Sequence, residues 1–109
     1  MAYKVIITTP AQRKLDNYVF YTLSTLKNED AARAILEDAE KTKKILANMA
    51  NINAFCNDEV LRKHGYRKQH FQKHRYLMIY RICDDMAVVE GMYHELQDYE
   101  SIFTRETNI

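Results

Sequence analysis

The stretch GYRKQHFQKHRYLMIYRI, Gly65 to Ile82, sets seven basic or histidine side chains among four aromatics and contains no acid. Guanidinium and ammonium groups at that density neutralise phosphates or carboxylates, or steady negative charge that develops in a reaction. The cations are Arg67, Lys68, Lys73, Arg75 and Arg81. Further on, His94 follows an apolar run, and an unperturbed imidazole, titrating near about 6.5, suits proton transfer at neutral pH. Cations and a proton-transfer group together supply the means to bind an anion and to act on it.

This charge is local. The net charge of the 109 residues is only +1. Between Val60 and Arg81 stand seven bases and no acid, whereas after Ile82 come Asp84, Asp85, Glu90, Glu95, Asp98, Glu100 and Glu106 against Arg105 alone. Adjacent segments of opposite sign give a field that the total conceals. The composition, 47% hydrophobic and 28% charged with one proline, is that of a single globular domain spanning residues 1–109. The opening MAYKVIITTPAQRK lacks the features of a signal peptide and is read as the mature start. No apolar run is long enough to span a membrane. Cys56 and Cys83 are too few for a disulfide framework, so a reducing cytoplasm is expected. His64, His70 and His74 lack metal-ligand spacing, and neither metal nor cofactor is expected.

The elements that must position these residues follow from pattern. YKVIIT is a β-branched strand run. TPAQ after it offers Thr9 as an N-cap, Pro10 at the first helical position and Gln12 to complete a capping box. Leu15, Tyr18, Val19, Leu23 and Leu26 then predict one apolar helical face. Asn28 caps a second helix, with Glu29 and Asp30 in its first turn and Ala32, Ile35, Ala39, Leu46 and Met49 on its inner face. NMANINAFCNDEVLRKHG reads as an irregular connector. Tyr66 to Phe71, Tyr76 to Cys83 and Ala87 to Tyr93 predict strands, the last two forming a hairpin across DDM, and HELQDYESIF closes with a short helix. The predicted class is α+β: a strand, a two-helix hairpin, three further antiparallel strands and a C-terminal helix. Alternation places Tyr76, Met78, Tyr80 and Ile82 toward the helices, with Arg75, Leu77, Ile79 and Arg81 on an open, basic sheet face. Tyr18, Phe20, Tyr21, Tyr76 and Tyr80 are expected at or near the core, with both cysteines buried or half-buried.

In this order the chain resembles the RelE/ParE superfamily of toxins from type II toxin–antitoxin systems. The likeness covers roughly Tyr3 to Phe103 and rests on YKVIITTPAQRKLDNYVFY, the arginine of GYRK, the strand HRYLMIYRI and VVEGMYHELQDYE. It implies a bacterial cytoplasmic protein that needs no cofactor and is neutralised by a cognate antitoxin encoded nearby. RelE-like members cleave mRNA in the ribosomal A site, whereas ParE-like members block DNA gyrase and need no nuclease site.

The sequence leads first to a ribosome-associated, metal-independent mRNA endonuclease. Such cleavage needs a base for the 2′-hydroxyl, cations for the phosphorane and an acid for the leaving oxygen. The resemblance implies His94, Arg81 and Arg67 as catalytic residues. Lys68, His70, Lys73, Arg75, Tyr93 and Tyr99 are expected to bind RNA or antitoxin, the tyrosines by stacking on a base or donating a proton. The pattern departs from RelE at three places: Leu77 and Gln97 stand where arginines are expected, and Gln69 where a lysine is. The long helical hairpin is more ParE-like. The alternatives are therefore a gyrase inhibitor without nuclease activity, or a catalytically decayed antitoxin-binding module.

Overall fold

The structure is a computed structural model describing residues 2–109. Its first strand, β1 (Lys4–Ile7), leads into helix α1 (Thr9–Ser24) and helix α2 (Glu29–Met49). A short helix α3 (Glu59–Lys63) precedes β2 (Arg67–His70), β3 (Tyr76–Cys83), β4 (Met86–His94) and helix α4 (Tyr99–Thr107). The sheet order is β1-β4-β3-β2, with β1 parallel to β4 and the other pairs antiparallel.

Local chemistry starts the helices nearly where the sequence places them. Thr8, one residue earlier than expected, caps α1: its hydroxyl accepts from the Ala11 N–H at 3.4 Å and donates to the Val89 carbonyl at 2.9 Å. That second bond ties the helix start to the sheet. Asn28 caps α2 through the Ala31 N–H at 3.0 Å, with Glu29 and Asp30 at the positive end of the helix dipole. Asp84 and Asp85 form the β3–β4 turn between Cys83 and Met86, and Asp84 takes φ 56°.

One sheet face behaves as predicted. Met78, Tyr80, Ala87, Val89 and Met92 pack against Ala11 and Leu15 of α1 and Ile35, Ala39 and Leu46 of α2. Helix α1 keeps its expected phase at Leu15, Tyr18 and Val19 but departs from it in the last turns, where Thr22 takes an inward position and satisfies its hydroxyl on the Tyr18 carbonyl at 3.0 Å. Leu23, about 100° further round the helix, is thereby turned outward, and Phe20, Tyr21 and Leu26 are exposed with it. Phe20 and Tyr21 are thus not core residues, and Cys83 is exposed while Cys56 is buried.

The opposite face corrects the sequence reading. Leu77 and Ile79 are fully buried among Cys56, Leu61, Tyr66, Tyr93 and Phe103. The apolar positions of this face are covered rather than open, since α3 and α4 supply a second hydrophobic layer. The connector conceals α3 because five residues are too few to display a helical period. Asp58 nonetheless caps it, accepting from the Val60 and Leu61 N–H groups at 2.9 and 3.1 Å.

A bulge lets α4 approach. Ile79 pairs with Gly91 and Tyr80 with Val89, leaving Glu90 as the extra residue. A Cβ at Gly91 would come within 2.7 Å of the Tyr93 ring and 3.0 Å of the Phe103 ring. Gly91→Ala is therefore expected to destabilise the protein by about 1–3 kcal/mol, as overpacking does, measured as a lowered denaturation midpoint. A midpoint equal to that of the parent would show that α4 does not dock against this glycine.

Candidate functional site

The base-rich and acid-rich segments meet in the folded chain. Lys68 lies 3.3 Å from Glu100, each side chain only 14% exposed. The Glu100 carboxylate also accepts from the Asn57 and Asp58 N–H groups at 3.1 and 2.6 Å, so α4, the start of α3 and β2 converge on it. Burial works to lower the Lys68 pKa, but Tyr99 and Glu100 outweigh it and the ammonium is held above its usual range. Arg81 Nε sits 2.7 Å from Glu90 Oε2, too oblique for a hydrogen bond, while Glu90 Oε1 accepts from the Tyr66 hydroxyl at 3.1 Å. Burial, with Glu90 second, pushes the Tyr66 phenol up to about 12.

Glu106 closes the far side of this face. It accepts from Lys14 Nζ at 2.8 Å and from the Tyr93 hydroxyl at 2.5 Å, beside a cleft of about 630 Å³. Burial pushes the Tyr93 phenol up, and its bond to Glu106 adds to that. Tyr93 is buried and its hydroxyl committed, so its ring offers no stacking surface. Tyr99 is half-buried beside Lys68.

His94, Arg81 and Arg67 are not brought together. Arg67 is paired with Tyr80 on the helical-hairpin side, where its guanidinium donates to the Asn53 carbonyl at 2.5 Å and stands 3.9 Å over the Phe55 ring. Arg81 is on the opposite face, opposite Val88. His94 is opposite Tyr76, five residues from Arg81 along β3, a span of about 16 Å at the rise of a strand. Its Nδ1 accepts from the Leu96 N–H at 3.1 Å, which puts the proton of the neutral ring on Nε2. The ring meets Tyr76 edge to face at 5.2 Å.

Two exposed cations of the base-rich segment lie together at one end of the sheet. Lys73 and Arg75 belong to the β2–β3 loop, and His70 precedes it. Glu95 stands between His70 Nδ1, at 3.3 Å, and Arg75 Nε, at 4.0 Å. Beneath the loop lies Asp38, a residue the sequence reading passed over, its side chain 1% exposed. It accepts from the successive N–H groups of Gln72, Lys73 and His74 at 3.1, 2.9 and 2.8 Å and from His74 Nδ1 at 2.7 Å. The available signal was an acid in step with the apolar positions Ile35, Ala39 and Leu46. Among the described residues, no three His, Cys, Asp or Glu side chains converge as a metal site, and no helix is long and apolar enough to cross a membrane.

Solved structures share this architecture. A chain of the chromosomal ParDE toxin–antitoxin system of P. aeruginosa superposes with a TM-score of 0.70 at 18% identity, over 85% of this chain and 96% of that one. A chain of the RelBE2 toxin–antitoxin complex of Mycobacterium tuberculosis gives 0.56 at 21% identity, over 86% of this chain and 99% of that one. No protein-family model matches the sequence, and no curated protein matches it significantly. The fold is thus RelE/ParE-like, α+β with an N-terminal strand, a helical hairpin, antiparallel strands and a C-terminal helix.

Burial works to raise the Asp38 pKa, but the His74 bond and the three backbone donors outweigh it and hold the carboxyl below its ordinary 3.8. A depressed carboxylate pKa stabilises the fold above the unfolded value and loses that contribution as pH falls through the folded one. Asp38→Asn should cost about 2–3 kcal/mol at neutral pH, the scale of hydrogen bonds to a charged group. The difference from the parent should shrink in acid below pH 3.8, as followed by urea denaturation across pH. A difference that stays constant into acid would rule out the anchored carboxylate.

Proposed function

We propose that this chain is the toxin component of a type II toxin–antitoxin system, and that it acts as a ParE-like inhibitor of DNA gyrase by binding and not by cutting RNA. The observation that carries the choice of target is the separation of His94 from Arg81, on opposite faces and about 16 Å apart along β3. General acid–base catalysis requires its groups within hydrogen-bond reach of one substrate. Leu77, at a position where RelE-like members place an arginine, is sealed beneath Tyr93 and α4, which supports the same reading.

A cognate antitoxin encoded nearby belongs to this proposal. Phe20, Tyr21, Leu23 and Leu26 leave an apolar surface around the C-terminal end of α1, Phe20 being 68% exposed, and a segment that folds on binding would cover it. Expression of the chain alone should arrest growth, induce the DNA-damage response and inhibit supercoiling by purified gyrase, while transcripts stay intact. His94→Ala should leave that toxicity in place. Codon-positioned mRNA cuts that disappear with His94→Ala would instead establish the nuclease. Phe20→Ser with Leu23→Ser should weaken copurification with the adjacent small protein by about tenfold or more, since two buried apolar anchors are worth at least 1.4 kcal/mol together; undiminished copurification would place the antitoxin elsewhere.

A further inference from the structure

The β2–β3 loop combines features that its role as a connection does not require. It is exposed at Gln72, Lys73 and Arg75, yet three of its successive N–H groups and one imidazole are fastened to a buried carboxylate. Sinking a charge in the helix–sheet layer is costly and is offset only by such a complete set of donors. The product is a loop of fixed shape that holds Lys73 and Arg75 outward. Arg75 is 67% exposed, and the Lys73 ammonium has no carboxylate partner among the described residues.

Elsewhere in the base-rich segment the cations are occupied. Lys68 is given to Glu100, Arg81, still 47% exposed, to Glu90, Lys63 to Glu59, Arg62 to the Cys56 and Asn57 carbonyls and Arg67 to the Asn53 carbonyl. The groups that face the loop end are Asp38 from α2, His70 from β2, His74 within the loop, and His94 and Glu95 at the end of β4. Asp38 is spent on the loop itself, so Glu95 is the one acid of this group left to face Arg75, with the His70 ring on its other side.

We propose that this loop is a preset docking element for the phosphate backbone of duplex DNA, with Asp38 as the residue that positions it. Charge complementarity selects a polyanion. The duplex is selected over a single strand because the tyrosine that flanks the patch, Tyr76, is half-buried and already stacked on Tyr18 at 4.7 Å. Single-stranded nucleic acids are gripped by free aromatic faces as well as by charge, whereas a duplex shelters its bases and offers phosphates. The docking is independent of the gyrase reading, because it concerns DNA contact by the chain itself.

The test is fluorescence anisotropy of the full chain with a labelled DNA duplex of about 20 base pairs at low salt, the variants being checked for folding by thermal melting. Lys73→Gln with Arg75→Gln, both at exposed positions, should weaken binding about tenfold and reduce the log–log salt slope by about 2. Glu95→Gln should tighten binding about two- to fivefold by removing the competing acid. Asp38→Asn is diagnostic in sign: general electrostatics predicts tighter binding when an acid is lost, whereas loss of the anchor predicts binding about threefold weaker in a folded variant. If that variant does not fold, the paired loop substitution and Glu95→Gln decide. The proposal is overturned if the parent chain does not bind the duplex, if the loop pair leaves affinity and slope unchanged, or if Asp38→Asn binds more tightly. It is equally overturned if single-stranded RNA or polyglutamate outcompetes the duplex.

Discussion

Glu100 is the point on which the second half of the fold depends, because one carboxylate of α4 holds the backbone before α3 and the ammonium of Lys68 on β2 together. The sheet has two faces to cover, and the helical hairpin covers only one. Leu77, Ile79 and Tyr93 would face water unless α3 and α4 closed over them, and neither helix is long enough to be stable alone. Hydrophobic burial through Leu61 and Phe103 supplies the attraction. The charge pairs supply the register. Glu90 with Arg81 and Glu106 with Lys14 repeat the arrangement at the flanks.

That arrangement changes what the opposed charge blocks mean. A basic segment followed by an acidic one resembles an exposed polyanion-binding strand next to an acidic tail. In three dimensions the acids of β4 and α4 reach back to cations of β2, β3 and α1, so much of the apparent field is consumed internally. At the loop end Lys73 and Arg75 stay exposed side by side. The separation of His94 from Arg81 follows from the same pleat, because strand alternation sends successive side chains to opposite faces.

The legible parts of the sequence were those with a strong local period or cap. Asn28 as a cap, the bounds of Tyr76–Cys83 and the inward set Met78 and Tyr80 all follow from spacing. The cover of the second face was not legible, since α3 has a single turn and the partner of each charge lies tens of residues away, as with Lys68 and Glu100 or Lys14 and Glu106. Thr22 shows a further limit: a hydroxyl that bonds to its own helix can sit inward where Leu23 was expected. Asp38 went unnoticed for the converse reason, that its four donors come from a loop 34 to 36 residues on.

The claim that charge pairing fixes α4 over the sheet is tested most directly by a double-mutant cycle on Lys68 and Glu100, using Lys68→Met, Glu100→Gln and the pair, with stability from urea denaturation. Two side chains that are largely shielded from water and share one contact should give a coupling energy of about 1–3 kcal/mol that persists at high salt. A coupling near zero, below about 0.3 kcal/mol, would mean that α4 is placed by its hydrophobic contacts alone and that the opposed charge blocks do not meet as described.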